Sequence, residues 1–157
     1  MNAQSYALRL LKSRIRSAWE LDQALMRRGV EEAERTKVID LLKEIKLVDD
    51  EQFARAWLHT RDRLSPRGEY VLKMELAQKG ISKEIIAQAL AERKVEISEE
   101  GDGETLQEKE ITQGKKIIAG KQRALAHLDS ETRNRRLTAL LLRRGFSYDT
   151  ARRILDV

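Results

Sequence analysis

The sequence has no cysteine, one proline and only 7 aromatic residues among 157. Without cysteine there can be no disulfide, thiolate metal site or cysteine nucleophile, as is common in a reducing compartment. No apolar run approaches the length of a membrane span, so we expect no membrane partner. The N-terminal "MNAQSYALRLLKSR" lacks a long apolar centre and a small-residue cleavage site. We therefore expect no secretory signal and a cytoplasmic protein.

Charge is plentiful but unevenly distributed. The formal net charge is +5, and 36% of the residues are charged. Residues 1–83 carry a net +4, residues 84–108 a net −6, and residues 109–157 a net +7. Basic ends joined by an acidic bridge suggest an anionic partner, either nucleic acid or an acidic protein surface.

Helical spacing is the only hydrophobic period along the chain. No Val/Ile/Thr-rich alternating run occurs, and no Asn-Gly or Asp-Gly turn joins two such runs. Ser17 with Glu20, and Asp49 with Gln52, have the spacing of capping boxes. Further helix starts are predicted at Ser65, which precedes Pro66, and at Ser82, Ser130 and Ser147. The sequence therefore predicts an all-α fold.

Three eight-residue segments share one sequence pattern: "ALMRRGVE" (24–31), "ELAQKGIS" (75–82) and "LLLRRGFS" (140–147). Each copy has a basic residue before a glycine and an apolar residue after it. We expect the glycines, Gly29, Gly80 and Gly145, to end helices in a left-handed conformation. Leucines recur eight and four residues before each glycine, at Leu21, Leu25, Leu72, Leu76, Leu137 and Leu141. Apolar residues also recur nine and ten positions after it, so the stretches are internal repeats.

The gaps between the glycines leave room for further helices. They are predicted at roughly 50–63 and 104–127, with an opening helix at roughly 3–13. The acidic segment 96–104 is predicted to be a flexible loop. The predicted architecture is an elongated array of three tandem three-helix repeats. Its predicted domains are 1–64 (opening helix and first repeat), 65–128 (second repeat with the acidic loop and a long third helix) and 129–157 (third repeat, truncated to two helices).

Four segments carry a likeness to a known family. They are "RIRSAWELDQALMRRG" (14–29), "LVDDEQFARAW" (47–57), "SPRGEYVLKMELAQKGIS" (65–82) and "LLRRGFSYDTARRIL" (141–155). In type and order they resemble the landmarks of the RecX family, small bacterial regulators of the RecA recombinase. The likeness covers nearly the whole chain.

The resemblance implies a regulatory protein without an active site of its own. RecX proteins are understood to lodge in the helical groove of the RecA–DNA filament and touch adjacent protomers. There they restrain ATP hydrolysis, coprotease activity and strand exchange. The resemblance thus implies a regulator of DNA repair and the SOS response. We expect a monomer, and we expect any contact of the basic surfaces with single- or double-stranded DNA to be weak and non-specific.

Residues suited to catalysis or metal binding are few. His59 and His127 are far apart, and neither has a second ligand at His-Glu-x-x-His spacing. "GDGE" lacks the lysine and strand context of a phosphate loop. The acidic run 49–51 is explained more simply by helix capping than by a cation site. We expect no catalytic residue, no metal, no cofactor and no enzymatic activity.

Basic residues are the candidates for contact with the RecA filament or DNA. Those in a last helical turn also stabilise the helix dipole by roughly 0.3–1 kcal/mol, so a purely structural explanation stands beside binding. The candidates are Arg14, Arg16, Arg27, Arg28, Arg67, Lys73, Lys115, Lys116, Lys121, Arg123, Arg133, Arg135, Arg136, Arg143 and Arg144.

The main alternative function is non-sequence-specific DNA binding by a helical-repeat protein. The helix–glycine–helix phrase superficially resembles a helix-turn-helix. However, the second helices, "EEAERTKVIDLL" and "KEIIAQALAE", are mixed or acidic outside the apolar stripe, which argues against base reading. Trp19, Phe53 and Trp57 lie at apolar helical positions, where core packing is favoured over base stacking. Composition alone leaves a passive scaffold open as a third class.

Overall fold

Nine helices lie within residues 2–100 and 105–156, which the computed structural model describes. They are α1 (Ala3–Ser13), α2 (Ala18–Arg27), α3 (Glu32–Glu44), α4 (Asp50–Leu64), α5 (Glu69–Gln78), α6 (Lys83–Glu100), α7 (Leu106–Ala124), α8 (Ser130–Arg143) and α9 (Tyr148–Leu155). The described residues form no strand, and the predicted all-α class is confirmed. None of these helices combines the length and hydropathy that a membrane crossing requires.

Each of the three repeated segments ends a helix at its glycine. Gly29, Gly80 and Gly145 have φ angles of 76°, 74° and 85°, in the left-handed region where glycine has no steric penalty. After each glycine, the next amide donates to the carbonyl of the leucine five residues earlier, at 3.2 Å, 3.1 Å and 3.2 Å. This is the six-to-one bond of a Schellman motif, so the predicted helix stops are confirmed.

The repeat leucines supply the core. All six are between 0% and 1% exposed. Burying one such side chain favours folding by roughly 1.5–3 kcal/mol. The helices that follow α2, α5 and α8 bury Val38, Ile39, Ala89, Leu90 and Ile154.

The chain divides into two compact units. Unit 1 comprises Met1–Trp57 and Glu75–Ala89, and unit 2 comprises Leu58–Met74 and Leu90–Val157. In unit 1, α1, α2 and α3 pack together around a cluster that includes Ala7, Leu21, Leu25 and Leu42. In unit 2, α7, α8 and α9 pack around Ile118, Leu137, Leu141, Phe146, Ala151 and Ile154. Helices α4, α5 and α6 contribute residues to both units.

Two predicted helix starts are wrong. Ser65 and Pro66 precede a short irregular stretch, and α5 begins only at Glu69. A tertiary contact competes with the predicted cap: the Gly68 amide, which a Ser65 cap would use, donates instead to the Arg144 carbonyl at 2.9 Å. At α8, the cap is Asp129, whose side chain accepts from the Thr132 amide at 2.8 Å, and Ser130 is already helical.

The predicted acidic loop is also wrong over its first half. Residues 96–100 continue α6, because Ile97 is buried, with 4% exposure, and helix keeps it in the core of unit 2. Residues 101–104 lie outside the described part of the chain. A capping box between Thr105 and Glu108 then starts α7, which ends at Ala124 rather than at 127.

Unit 1 contains a buried carboxylate at the start of α2. Ser17 caps the helix by accepting from the Glu20 amide, and its hydroxyl donates to the Lys79 carbonyl at 2.6 Å. The Glu20 carboxylate accepts from both Arg14 and Lys79, each at 2.7 Å, instead of returning to Ser17 as in a full capping box. Burial raises the pKa of Glu20, but the hydrogen bonds from Arg14 and Lys79 outweigh it and hold the pKa below its ordinary value.

The predicted core aromatics differ in burial. Phe53 is buried and stacks on half-buried Trp57, with ring centroids 6.0 Å apart. Trp57 also donates to the Glu75 carboxylate at 2.9 Å. Trp19 is 45% exposed, so its predicted place in the core is wrong. Its Cβ packs instead against Gly80, where a Cβ on the glycine would lie 2.2 Å away.

Candidate partner-binding surface

Two arginines proposed for partner contact serve unit 1 itself. Arg14, with 47% of its side chain exposed, pairs with the buried Glu20. Arg16 donates from Nε to the Leu10 carbonyl at 3.3 Å. Burial and then the neighbouring charge of Arg14 lower the pKa of Arg16. Both arginines therefore have a structural role within unit 1, although about half of the Arg14 side chain stays accessible to a partner.

Two further candidates face intramolecular partners on the surface. The Arg28 guanidinium lies over the Tyr6 ring, 4.4 Å from its centroid. Lys73 pairs with Glu69 at 2.7 Å, one helical turn earlier, and Lys94 reaches the same carboxylate at 3.3 Å. The hydrogen bond from Lys73 is the main cause that lowers the pKa of Glu69. Exposed pairs of this kind contribute roughly 0–1 kcal/mol, so they can exchange for an external partner at little cost.

Most of the other candidates are on the exposed surface. Arg67 and Arg133 are half-buried, and Lys115 is 3.8 Å from the exposed Asp156 carboxylate. The exposed candidates are Arg27, Lys121, Arg123, Arg135, Arg136 and Arg143. The structure does not gather these residues into one site.

The structure does bring Lys116 and Arg144 together. Both line a cleft of about 630 Å³ in unit 2, along with Arg63 and Lys109, which we name the cationic cleft. Its walls are the end of α4, the segment 65–66, one face of α7 and the residue that follows α8. No described carboxylate lies within ion-pair distance of any of these four cations.

Helical spacing and two glycines build the cationic cleft. Lys109, Gln113 and Lys116 are four and three residues apart, so they share one face of α7. The backbone of Arg144 is held in place because its carbonyl accepts a hydrogen bond from the Gly68 amide. A Cβ at Gly68 would lie 1.9 Å from the Gly145 carbonyl oxygen, so this approach of two backbones requires glycine.

A buried ion pair lies beside the cationic cleft. Asp62 lines the cleft, but its carboxylate accepts two hydrogen bonds from Arg93, at 2.8 Å and 2.7 Å. Arg93 is only 4% exposed. Gln113 donates from Nε2 to the Asp62 carbonyl at 3.3 Å. Asp62 is the one acidic residue among the described residues that line the cleft, and Arg93 neutralises it, so the four lining cations set the charge of the cleft.

A second carboxyl group near this pair is held toward its neutral form. Burial raises the pKa of Glu110 above its ordinary value, against the opposing charge of Arg93. The nearby carboxylates of Glu69 and Asp62 raise it further. In unit 2, Asp62 is therefore stabilised as a carboxylate by Arg93, whereas the charged form of nearby Glu110 is disfavoured.

The cationic cleft also has apolar walls. Leu64, Pro66 and Ile117 line it, and Leu64 is 69% exposed, an unusually high value for a leucine in this chain. Ser65 and Thr112 add two hydroxyl groups. The cleft can thus receive an anionic group and an apolar group together.

Sequence reasoning missed Arg63 and Lys109 as candidates. Lys109 could have been found from its spacing, because it lies two turns before Lys116 on the same helical face. Arg63 could not, because only the tertiary fold of unit 2 brings the end of α4 to this face. Within residues 2–100 and 105–156, no cluster of three or more His, Asp or Glu residues could hold a metal ion.

Comparison with known proteins supports a family assignment. Models of the RecX first, second and third three-helix domains match residues 3–42, 49–90 and 108–155. A regulatory protein RecX from Mycobacterium sp. (strain JLS) is 32% identical over 160 residues, covering 99% of this chain and 80% of that protein. The chain belongs to the RecX family. The RecX domain models also confirm three tandem three-helix repeats, while the domain boundaries at 64/65 and 128/129 stay a prediction.

Other RecX proteins extend the comparison. Regulatory protein RecX from Streptomyces coelicolor is 30% identical over 153 residues, covering 98% of this chain and 75% of that protein. A crystal structure of RecX from Lactobacillus salivarius matches with a TM-score of 0.79 at 22% identity, covering 98% of this chain and 92% of that one. A second crystal structure, of a regulatory protein RecX, matches with a TM-score of 0.82 at 21% identity, covering 99% and 70%. These structures share the fold.

Proposed function

We propose that this protein binds the RecA recombinase filament and restrains its ATPase, coprotease and strand-exchange activities. The observation that carries the proposal is the full-length likeness to regulatory RecX proteins, 32% identical over 99% of this chain. The protein acts by binding and needs no chemistry of its own. This role belongs to DNA repair and the SOS response in the bacterial cytoplasm, with the protein acting as a monomer.

The distribution of charge supports docking at several points. Cationic side chains occur at the ends of α2, α7 and α8 and along α8. Because they are exposed, each ion pair that they form with a partner contributes only modestly to the binding free energy. Several weak contacts on one chain add up, because after the first binds the others act at high effective concentration. Charge also steers association, and binding should therefore weaken as salt rises.

Non-specific DNA binding is the second candidate function. The four cations of the cationic cleft favour it, because lysine and arginine neutralise phosphates without reading sequence. The same chain could hold both the recombinase and, weakly, the DNA in the filament.

The deciding experiment measures DNA-dependent ATP hydrolysis by the RecA filament with this protein present. The DNA concentration is set where the protein alone gives no mobility shift, so that competition for DNA cannot explain a loss of rate. We expect inhibition that weakens with added salt. An unchanged ATPase rate, together with tight binding to naked DNA, would replace the recombinase proposal with the DNA-binding one.

A variant series tests the contribution of α8. Replacing Arg133, Arg135 and Arg136 with Ala removes three positive charges from one helix and should weaken inhibition. The matched control replaces three exposed lysines of unit 1, Lys37, Lys43 and Lys83, with Ala. Equal inhibition by both triple variants would remove α8 from the binding surface.

A further inference from the structure

We propose that the cationic cleft binds an acidic peptide segment of a protein partner. Carboxylates of the segment pair with Lys116 and Arg144, and an apolar side chain of the segment packs against Leu64 and Ile117. This proposal rests on the proposed function, in which the partner is a protein.

Charge is the first argument for an anionic ligand. Arg63, Lys109, Lys116 and Arg144 converge from separate parts of unit 2 on one cleft, with no described carboxylate within ion-pair distance. Arg144 is half-buried, so less of its freedom remains to be lost when it binds. Its planar guanidinium also suits a carboxylate, which it can grip through two parallel hydrogen bonds.

The apolar wall argues for a peptide rather than a nucleic acid backbone. Single-stranded nucleic acid is usually held by cations together with aromatic side chains that stack on the bases. None of the described residues that line the cationic cleft is aromatic. Leu64, Pro66 and Ile117 instead provide an aliphatic surface, which suits an aliphatic side chain of a peptide.

The test uses the full chain and three fluorescein-labelled probes, read by fluorescence anisotropy. The first is a short peptide of Glu, Asp and Leu, and the second replaces its acidic residues with Gln and Asn. The third is an oligothymidylate of similar length. We expect the acidic peptide to bind, the neutral peptide to bind weakly or not at all, and the oligothymidylate to bind more weakly than the acidic peptide.

Paired variants locate the binding. The double variant Lys116→Ala and Arg144→Ala should weaken acidic-peptide binding about 3- to 30-fold, as expected for losing two accessible ion pairs. The control, Lys121→Ala and Arg143→Ala, removes the same charge from α7 and from the end of α8 but lies outside the cleft lining. Equal weakening by both pairs would overturn the proposal, and so would failure of the acidic peptide to bind.

A third variant separates a peptide from a pure electrostatic ligand. Leu64→Ser removes the most exposed part of the apolar wall without a change of charge, and because Leu64 is 69% exposed, the change removes little core packing. It should weaken the acidic peptide and leave oligothymidylate binding unchanged. If oligothymidylate binds more tightly than the peptide and is lost only in the cleft variant, the site is for a nucleic acid backbone and the peptide proposal is wrong.

The recombinase ATPase assay keeps the two proposals distinct. If wild-type protein inhibits the filament but binds no acidic peptide, the proposal for the cleft fails while the proposed function stands. If wild-type protein binds the peptide through the cleft but never inhibits the filament, the proposed function fails and the cleft serves a different acidic protein.

Discussion

Replacing Gly80 with Ala should destabilise the protein more than the same change at Gly29. Both glycines have nearly the same backbone, with φ of 74° and 76°. An alanine in the left-handed region costs roughly 1–2 kcal/mol, and this applies to both positions. Their surroundings differ: nothing lies within 4 Å of a Cβ at Gly29, whereas a Cβ at Gly80 would be 2.2 Å from the Trp19 Cβ.

The contact with Trp19 sets the size of the difference. Overpacking of this kind costs roughly 1–3 kcal/mol in addition to backbone strain. We therefore expect a loss of about 1–2 kcal/mol for Gly29→Ala and about 2–5 kcal/mol for Gly80→Ala. Trimming Trp19 to Ala should not relieve the second, because the nearest atom is the Trp19 Cβ, which alanine keeps.

Urea unfolding followed by far-UV circular dichroism measures the effect through the shift in midpoint. The control is Gly120→Ala, because Gly120 is helical within α7 and a Cβ there meets nothing within 4 Å. That change should stabilise the protein by roughly 0.5–1 kcal/mol. Equal losses for Gly29→Ala and Gly80→Ala would refute the steric reasoning, and no loss at Gly29 would refute the backbone reasoning.

Three more predictions concern buried charge. Asp62→Asn should cost about 3–5 kcal/mol in urea unfolding, because it leaves Arg93 buried without its counterion. Asp62→Leu should lose stability for the same reason, and adding Arg93→Leu to Asp62→Leu should recover much of that variant's loss; no recovery would contradict a charge-based cause. Glu20→Gln should cost about 1–2 kcal/mol at neutral pH. Because the pKa of Glu20 is lowered in the folded state, its contribution is lost as the pH falls through that pKa, so the variant and wild type should converge in acid. Glu110→Gln should act in the opposite direction, because the raised pKa of Glu110 penalises the folded state at neutral pH and the variant should be more stable there. The gain should fade as the pH falls from that raised pKa toward the ordinary pKa of glutamate, and it should be absent below it.

The features that could be predicted from the sequence depend on neighbours along the chain. A glycine that ends a helix, and leucines at helical spacing before it, require only local geometry, and Gly80, Leu72 and Leu76 all behave as expected. Where the prediction is wrong, a distant residue decides. The start of α5 moves from Pro66 to Glu69 because Gly68 bonds to a residue far along the chain.

The candidate site was predicted less completely than the fold. Basic residues could be named from composition, but their partners could not, so Arg14 was proposed without its buried partner Glu20. Lys116 and Arg144 were both named, yet nothing in the sequence places them in one cleft with Arg63. Convergence of charge is a tertiary property, and local spacing carries no information about it.

The division of the chain has a consequence for synthesis on the ribosome. Unit 1 is built from two stretches, Met1–Trp57 and Glu75–Ala89, and the residues between them belong to unit 2. The N-terminal unit therefore cannot be completed until residue 89 has left the exit tunnel. At roughly 5–20 residues per second, translating the 32 residues after Trp57 takes about 2–6 seconds. During that interval the nascent chain contains α1 to α3, but the Ser17 hydroxyl and the Glu20 carboxylate still lack their partner Lys79. Most of unit 1 is therefore synthesised early, but its folding is completed late.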